Sequence, residues 1–260
     1  MSIVATLGAR LAIEPSRLTA TAIVSRAVVA GILGGLLAAL FLLMVGEDSI
    51  EAAIAIEQGA AGPETTAVDA VDIGRGVQIA GGAAAVILYG ALTGIVFGTV
   101  LAAVRHRLGS TDDFRRSVLL AAVGFIAIVG IPAVAYPANP PAVGDPDTIA
   151  QRTIAYLTLV AAGLVLAVAG FAIHRRLAQR LDHPSATIVT TLIAVAGAVG
   201  LIWLWPDSQN EVPVGFPADL IWSFRLESLA AQAIHWSTLG LATGWLLTRN
   251  AEPRPPEHLG

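Results

Sequence analysis

The chain has 260 residues, of which 55% are hydrophobic and only 13% are charged, and its formal net charge is −4. Soluble domains are about one-quarter charged, so this composition indicates an integral membrane protein and argues against nucleic-acid binding. All 15 basic residues are arginine and there is no cysteine, which excludes a Walker-type ATPase, lysine and thiolate nucleophiles, zinc–thiolate sites and iron–sulfur clusters. The sequence also contains no Ser-His-Asp arrangement, so we expect neither enzymatic activity nor a resident cofactor.

Six apolar runs of about 20 residues are long enough to cross a membrane as helices. They occupy 27–45, 77–104, 117–136, 154–173, 186–205 and 226–247. The predicted fold is therefore an all-α integral membrane protein, with six transmembrane helices arranged as three hairpins in one domain spanning 27–247. The segment 1–26 precedes this domain, and the proline-rich tail 248–260 is predicted to be disordered.

The arginines set the predicted orientation. Twelve of the 15 lie before the first span, between the second and third, between the fourth and fifth, or after the sixth. Because cytoplasmic segments of membrane proteins are enriched in arginine, both termini are predicted to be cytoplasmic, in the inner (cytoplasmic) membrane of the cell. The outer loops and their edges then hold 13 of the 19 acidic residues; these loops are 46–76, 137–153 and 206–225. This acidity either follows simply from the exclusion of arginine or concentrates cations at the outer face.

Two of the outer loops carry candidate metal ligands. Glu47 and Glu57 lie on a predicted amphipathic helix in the first loop, and Asp147 lies in a proline-rich stretch of the second. Carboxylates bind hard and borderline divalent cations, so these three residues are candidate metal ligands. The alternative interpretation is that they are solvated surface charges.

Polar residues inside a membrane span are informative because hydrocarbon penalises them. At the sixth span Arg225, Ser228, Gln232 and His235 fall on one helix face at about 100° per residue. His235 is the fourth candidate metal ligand, since imidazole nitrogen binds divalent transition metals. The alternative is that His235 bonds to a neighbouring helix as a packing element.

Three arginines lie on the outer side, against the general pattern: Arg75, Arg152 and Arg225. Each stands at the start of an even-numbered span. One interpretation is that acids of the same loops pair with them and hold the loops onto the bundle; these acids are Asp72, Asp145, Asp147 and Asp219. The other is that the three guanidiniums form a ring that suits an anion. The two interpretations predict opposite transport selectivities.

Glycines recur at four-residue intervals in three of the spans and predict close helix packing. The rows are Gly31 and Gly35, then Gly90, Gly94 and Gly98, and finally Gly240 and Gly244. Such faces also offer a route to a homo-oligomer or to contact with another membrane subunit.

Three parts of the chain together resemble the CbtA family. They are 136–149 (YPANPPAVGDPDTI), 215–232 (GFPADLIWSFRLESLAAQ) and the pattern Glu47…Ile50…Ala53-Ile54…Glu57. The resemblance implies a probable cobalt transporter subunit, of a kind often accompanied by a small membrane partner, CbtB. The positions that match the family pattern are Glu47, Glu57, Pro137, Asn139, Pro140, Asp147, Arg152, Pro217, Asp219, Arg225 and Gln232. The resemblance alone assigns no role to them.

The sequence therefore predicts a subunit of an uptake system for cobalt or a related divalent cation, without an ATPase of its own. The acidic outer loops are expected to gather the cation, and the polar face of the sixth span to help it cross, with Asn139 and Asp219 as further polar residues of the path or of the structure. One alternative is a membrane scaffold or assembly subunit that transports nothing. The other is a transporter of an anion or small organic solute that uses Arg75, Arg152 and Arg225.

Overall fold

The computed structural model describes residues 18–60, 74–108, 112–206 and 212–249, and every regular element in them is helical. Three predicted features, namely most of the segment 1–26, most of the tail 248–260 and Asp72, lie outside the described residues. The helices are α1 (Ala20–Phe41), α2 (Glu47–Ala60), α3 (Arg75–Val104), α4 (Asp113–Phe125), α5 (Ile131–Ala135), α6 (Ile149–Leu177), α7 (His183–Leu204) and α8 (Ala218–Thr248). Two π-helical turns, Leu42–Gly46 and Ile126–Gly130, join α1 to α2 and α4 to α5 without a break.

The helices extend beyond the apolar runs because polar turns are added at their ends. Side-chain oxygens of Thr19, Asp112 and Asp182 accept hydrogen bonds from the first free backbone N–H groups of α1, α4 and α7. Such caps satisfy donors that have no partner within the helix. The observed and predicted first residues differ most for α8, which begins at Ala218, eight residues before the predicted span begins at 226.

Five helical stretches of the described residues are long and apolar enough to cross a membrane, which makes the chain a membrane protein that sits in lipid. They are Ala20–Gly59, Arg75–Val104, Asp113–Ala135, Ile149–Leu177 and His183–Leu204. Although α8 has 31 residues, it is not one of these five. Its apolar sequence is interrupted by Glu227, Gln232 and His235, and a helix that packs inside a bundle tolerates such residues better than one that faces lipid.

Neighbouring helices run in opposite directions, so the bundle has two chemically different ends. We call the end with α2 and residues 136–148 and 212–217 the acidic end, and the end with residues 105–108 and 174–182 the basic end. At the acidic end Ala53, Val143, Phe216 and Ile221 form a small apolar cluster that joins α2 to both loops.

The packing of the helices differs from three hairpins in series. α1 packs along α3 and α8, α8 packs along α4, and α6 packs along α7 at the side of this group. The first predicted hairpin is therefore observed, but the described parts of α7 and α8, the predicted third hairpin, share no extended contact. Small residues explain the difference: an added Cβ on Gly240 would lie 2.6 Å from Ala121 Cβ, and one on Gly244 2.9 Å from Phe114 Cα, so α8 fits closely against α4.

The glycine rows make close contacts within the chain, as the sequence predicts, whereas self-association through them stays a prediction. Gly31 lies against Gly90, an added Cβ on Gly94 would lie 2.5 Å from the Ala27 carbonyl oxygen, and one on Gly35 would lie 2.8 Å from the Val86 carbonyl oxygen. With Gly240 and Gly244 facing α4, these glycines are all occupied by contacts within the chain.

Replacing Gly94 with alanine should separate α1 from α3, because the new methyl group would collide with backbone atoms. We expect Gly94→Ala to lower the free energy of unfolding by about 1–3 kcal/mol, measured by thermal unfolding in detergent. The matched control is Gly81→Ala on the same helix, where an added Cβ meets nothing within 4 Å; alanine should be neutral there or stabilise by up to about 1 kcal/mol. Equal stability of the two variants would contradict the packing described.

Candidate functional site

A partly open cavity of about 340 Å³, with a mostly apolar lining, lies between α1, α3 and α8, in the half of the bundle nearer the acidic end. We call it the central cavity. It is lined by Ala38, Leu42, Ala85, Val86, Tyr89, Ser228, Ala231, Gln232 and His235. α1 contributes only apolar side chains, whereas the polar groups come from α3 and α8. The periodicity of the sixth span thus correctly placed Ser228, Gln232 and His235 on one surface.

His235 closes the central cavity on the side toward the middle of the bundle. The residue is 2% exposed, and its Nε2 lies 2.8 Å from Thr93 Oγ1. The Thr93 hydroxyl also lies 2.9 Å from the Tyr89 carbonyl oxygen and 3.0 Å from that of Gly90, to which it donates. Since this hydroxyl has a single proton, Nε2–H is the donor to Thr93 when that proton points to a carbonyl. His235 therefore bonds to a neighbouring helix, as one interpretation predicts, and it also lines the central cavity.

The other imidazole nitrogen, Nδ1, is buried and has no hydrogen-bond partner among the described residues. It faces α1, where a Cβ added to Gly34 would lie 3.0 Å away. The ring also contacts two aromatic side chains, with centroid distances of 5.3 Å to Tyr89 and 6.2 Å to Trp236. Packing thus holds the imidazole in one orientation.

Tyr89 and Gln232 meet across the central cavity. The Tyr89 hydroxyl lies 3.5 Å from Gln232 Oε1, at the outer limit of a hydrogen bond. Together with the Thr93–His235 contact, this pair links α3 to α8. The cavity therefore offers hydroxyl, amide and imidazole groups within about two helical turns of α8.

Toward the basic end the bundle is closely packed and apolar. Leu239, one turn beyond His235, is completely buried, and Ile23 and Leu101 are each 1% exposed. These residues form one core cluster with Phe97 and Trp236. The central cavity is consequently closed on that side in this conformation.

The three outer arginines all contact segments of the acidic end. Arg75 forms an ion pair with Glu47, which joins the first residue of α3 to the first residue of α2. Arg152 Nη2 donates to the Asp145 carbonyl oxygen at 3.2 Å. These contacts attach the loops to the bundle, as one of the two interpretations predicts. The observed partner of Arg75 is Glu47, whereas Asp72, the acid predicted to pair with it, lies outside the described residues.

Arg225 bonds to a different partner from the one predicted. Nη2 donates to Asn139 Oδ1 at 3.0 Å, and Nε donates to the Ala138 carbonyl oxygen at 3.3 Å. The expected partner Asp219 is exposed in the first turn of α8. A separation of six residues places Asp219 and Arg225 on different sides of the helix, so Arg225 contacts the second loop instead. It does not belong to the central cavity.

A second cavity of about 270 Å³ lies at the acidic end beside Arg152. Its lining consists of Tyr136, Pro137, Asn139, Ile149, Arg152, Thr153 and Tyr156. Gly144 adjoins the arginine with a φ of +105°, and an added Cβ would lie 2.5 Å from Arg152 Nη1. Only glycine fits here without strain, so the loop is shaped around the guanidinium.

The four candidate metal ligands are not brought together. Glu47 is paired with Arg75, Glu57 and Asp147 are exposed, and His235 is buried in the bundle. In the described part of the chain, no group of three His, Cys, Asp or Glu side chains is placed to hold a metal ion. A joint site of these four residues is therefore not supported by their positions.

Three residues of the site were missed by the sequence analysis. Tyr89 and Thr93 lie one turn apart in an otherwise apolar helix, a spacing that signals a shared polar face. Glu227 was treated as a residue of the outer loop, although it lies nine residues inside α8. Its Oε1 accepts a 2.9 Å hydrogen bond from Ser49 Oγ, which no sequence pattern indicated.

Comparison with known proteins identifies one family. The CbtA family, described as probable cobalt transporter subunit, matches residues 20–248 of the chain. This match covers all the long helices and confirms the resemblance seen in the sequence. No match was found among curated proteins or among solved structures.

The contact between Thr93 and His235 can be tested by removing the hydroxyl while keeping the shape of the side chain. We expect Thr93→Val to lower the free energy of unfolding by about 1–3 kcal/mol, because a buried imidazole nitrogen loses its partner. Thermal unfolding in detergent measures this loss. Thr99→Val is the matched control, since Thr99 bonds to Ile95 of its own helix; its effect should stay within about 0.5 kcal/mol. Indistinguishable unfolding of the two variants would show that the Thr93 contact contributes nothing.

Proposed function

Because the chain belongs to the CbtA family of probable cobalt transporter subunits, we propose that it is a subunit of an uptake system for cobalt or a related divalent cation. The cation crosses by way of the central cavity. The observation that carries this proposal is the grouping of Ser228, Gln232, His235 and Tyr89 around one partly open cavity between three long helices. Polar groups at such a depth are costly and are typical of substrate pathways.

In this proposal α8 is the sixth transmembrane helix and both termini are cytoplasmic, in the inner membrane. Support comes from the 31-residue length of α8, which exceeds the roughly 20 residues that a span requires. Further support comes from the concentration of arginine at the basic end, as expected of a cytoplasmic face. The acidic end then faces the outside, and the central cavity lies on the side from which the cation arrives.

The donors of the central cavity suit brief binding of a divalent cation. Imidazole nitrogen together with amide and hydroxyl oxygen is a mixed donor set that borderline metal ions accept. The cavity has few charged donors, so the cation would keep part of its water shell and leave readily. Closure by Leu239 and its neighbours implies that the basic half must rearrange before the cation can leave on that side.

The driving force must come from outside the chain, since a sequence without lysine cannot form a Walker-type ATPase. A membrane potential supplies about 2.3 kcal/mol per charge for each 100 mV, which favours inward movement of a divalent cation. A small CbtB-like subunit is the proposed partner. We propose no enzymatic activity and no resident cofactor.

The two alternatives gain different support. A scaffold that transports nothing is favoured by the closely packed basic half, and it is the second candidate function. A transporter of an anion or organic solute is disfavoured, because Arg75, Arg152 and Arg225 are engaged with Glu47, the Asp145 carbonyl group and Asn139. Their N–H groups are thereby used to hold the acidic end together, and the charge of Arg75 is paired with that of Glu47.

Replacing the amide of Gln232 with an apolar side chain of similar size should reduce Co²⁺ uptake. We expect Gln232→Leu to reduce the initial rate of radioactive Co²⁺ uptake by about tenfold or more, the effect of losing roughly 1.4 kcal/mol of favourable interaction along the path. Cells expressing the chain together with its partner provide the assay. Gln151→Leu makes the same chemical change at an exposed position of α6 and should leave the rate unchanged. Equal uptake by the two variants would favour the scaffold.

A further inference from the structure

Glu227 is a half-buried acidic side chain near the central cavity, and the proposed path does not yet use it. Its Oε1 accepts a 2.9 Å hydrogen bond from Ser49 Oγ, and Ser49 is itself only 7% exposed. The second oxygen, Oε2, is buried and has no hydrogen-bond partner among the described residues. It faces the π-helical turn between α1 and α2, where a Cβ added to Gly46 would lie 3.9 Å away.

The charge of this carboxylate is not balanced by a nearby arginine. Glu227 takes part in none of the ion pairs found in the described residues, which join Arg75 to Glu47 and both Arg105 and Arg116 to Asp113. Arg225, two residues earlier on α8, is turned toward Asn139. In the described part of the chain, its one hydrogen-bond partner is a neutral hydroxyl and its Oε2 is shielded from water, so a positive charge nearby would compensate the lost hydration of that oxygen.

The position of Glu227 connects it with the central cavity. Ser228, the next residue of α8, lines the cavity, as does Leu42, one turn before Gly46 on α1. Glu227 does not itself line the cavity, but its Oε2 lies near Gly46, one turn beyond Leu42, and therefore beside the acidic-end edge of the cavity. His235 lies two helical turns deeper along the same side of α8.

We propose that Glu227 receives the cation at the mouth of the central cavity and makes the cavity selective for cations. This inference rests on the proposed function and adds to it the residue that supplies the negative charge. Ser49 holds the carboxylate in place through Oε1 and leaves Oε2 to meet the cation. One carboxylate with water as the remaining ligands distinguishes cations from anions but discriminates weakly among divalent metals. Competing Ni²⁺ should therefore inhibit Co²⁺ uptake at similar concentrations.

Transport kinetics provide the first test, in proteoliposomes that contain the full chain with its partner. Glu227→Gln keeps the shape of the side chain and the acceptor for Ser49 but removes the charge, and it should reduce kcat/KM for Co²⁺ by about tenfold or more, mainly through KM. Glu227→Asp should restore part of this loss. Asp48→Asn removes an exposed acid of α2 and should change kcat/KM by no more than about twofold.

A second test uses the wild-type chain and does not depend on the folding of a variant. A hydrophobic carbodiimide modifies buried carboxyl groups, and mass spectrometry measures the modification at Glu227. Saturating Co²⁺ should slow this modification by about fivefold or more relative to K⁺ at equal ionic strength, because a bound cation protects its ligand.

The outcomes separate this inference from the proposed function. Wild-type uptake with an unaffected Glu227→Gln variant, or modification at Glu227 that Co²⁺ does not slow, would overturn the role of Glu227 and leave transport standing. Protection by Co²⁺ without any wild-type uptake would support the role of Glu227 as a cation ligand and overturn the proposed transport. Loss of uptake in Glu227→Gln together with protection by Co²⁺ supports both.

Discussion

The close approach of α1 to α3 is the contact on which the remainder of the bundle depends. Lipid gives helices no hydrophobic reason to associate, so van der Waals contact between backbones must supply the attraction. Gly31 and Gly35 on α1 face Gly90 and Gly94 on α3, with no side chains between them. This contact leaves another side of α1 free for α8. The central cavity forms where the three helices meet.

The same arrangement explains how α8 can carry polar side chains along its length. Its buried stripe runs through Ala231, His235 and Leu239 and faces protein rather than lipid. Two polar side chains of the site obtain a partner from another helix: His235 contacts Thr93, and Gln232 contacts Tyr89. The acidic end is fastened separately, by Arg75 with Glu47 and by the apolar cluster that joins α2 to the loops. Packing and polar contacts therefore place the cavity beneath a cap of charged segments.

Features that depend on helix geometry alone could be predicted from the sequence. The shared face of Ser228, Gln232 and His235 follows from 100° per residue, and close packing follows from the glycine spacing. The helix that packs against a given face depends on the tertiary fold, which local patterns do not reveal. The contact of His235 with Thr93 and the packing of α8 against α4 were therefore not predicted. Glu227 was missed because it is the second residue of the predicted sixth span and was counted with the acids of the outer loops, whereas α8 begins nine residues earlier, at Ala218. The hydrogen bond between Arg225 and Asn139 joins residues that are 86 positions apart in the sequence. Local sequence patterns do not predict loop contacts over such a separation.

The central claim is that this chain provides a path for a divalent cation. The most direct measurement is the uptake of radioactive Co²⁺ into proteoliposomes that contain the wild-type chain with the proposed CbtB-like partner, under an imposed inside-negative potential. The account predicts saturable uptake that increases with the potential and is absent from protein-free vesicles, since each cation moves two charges across the membrane. Uptake no faster than in protein-free vesicles at every potential would contradict it.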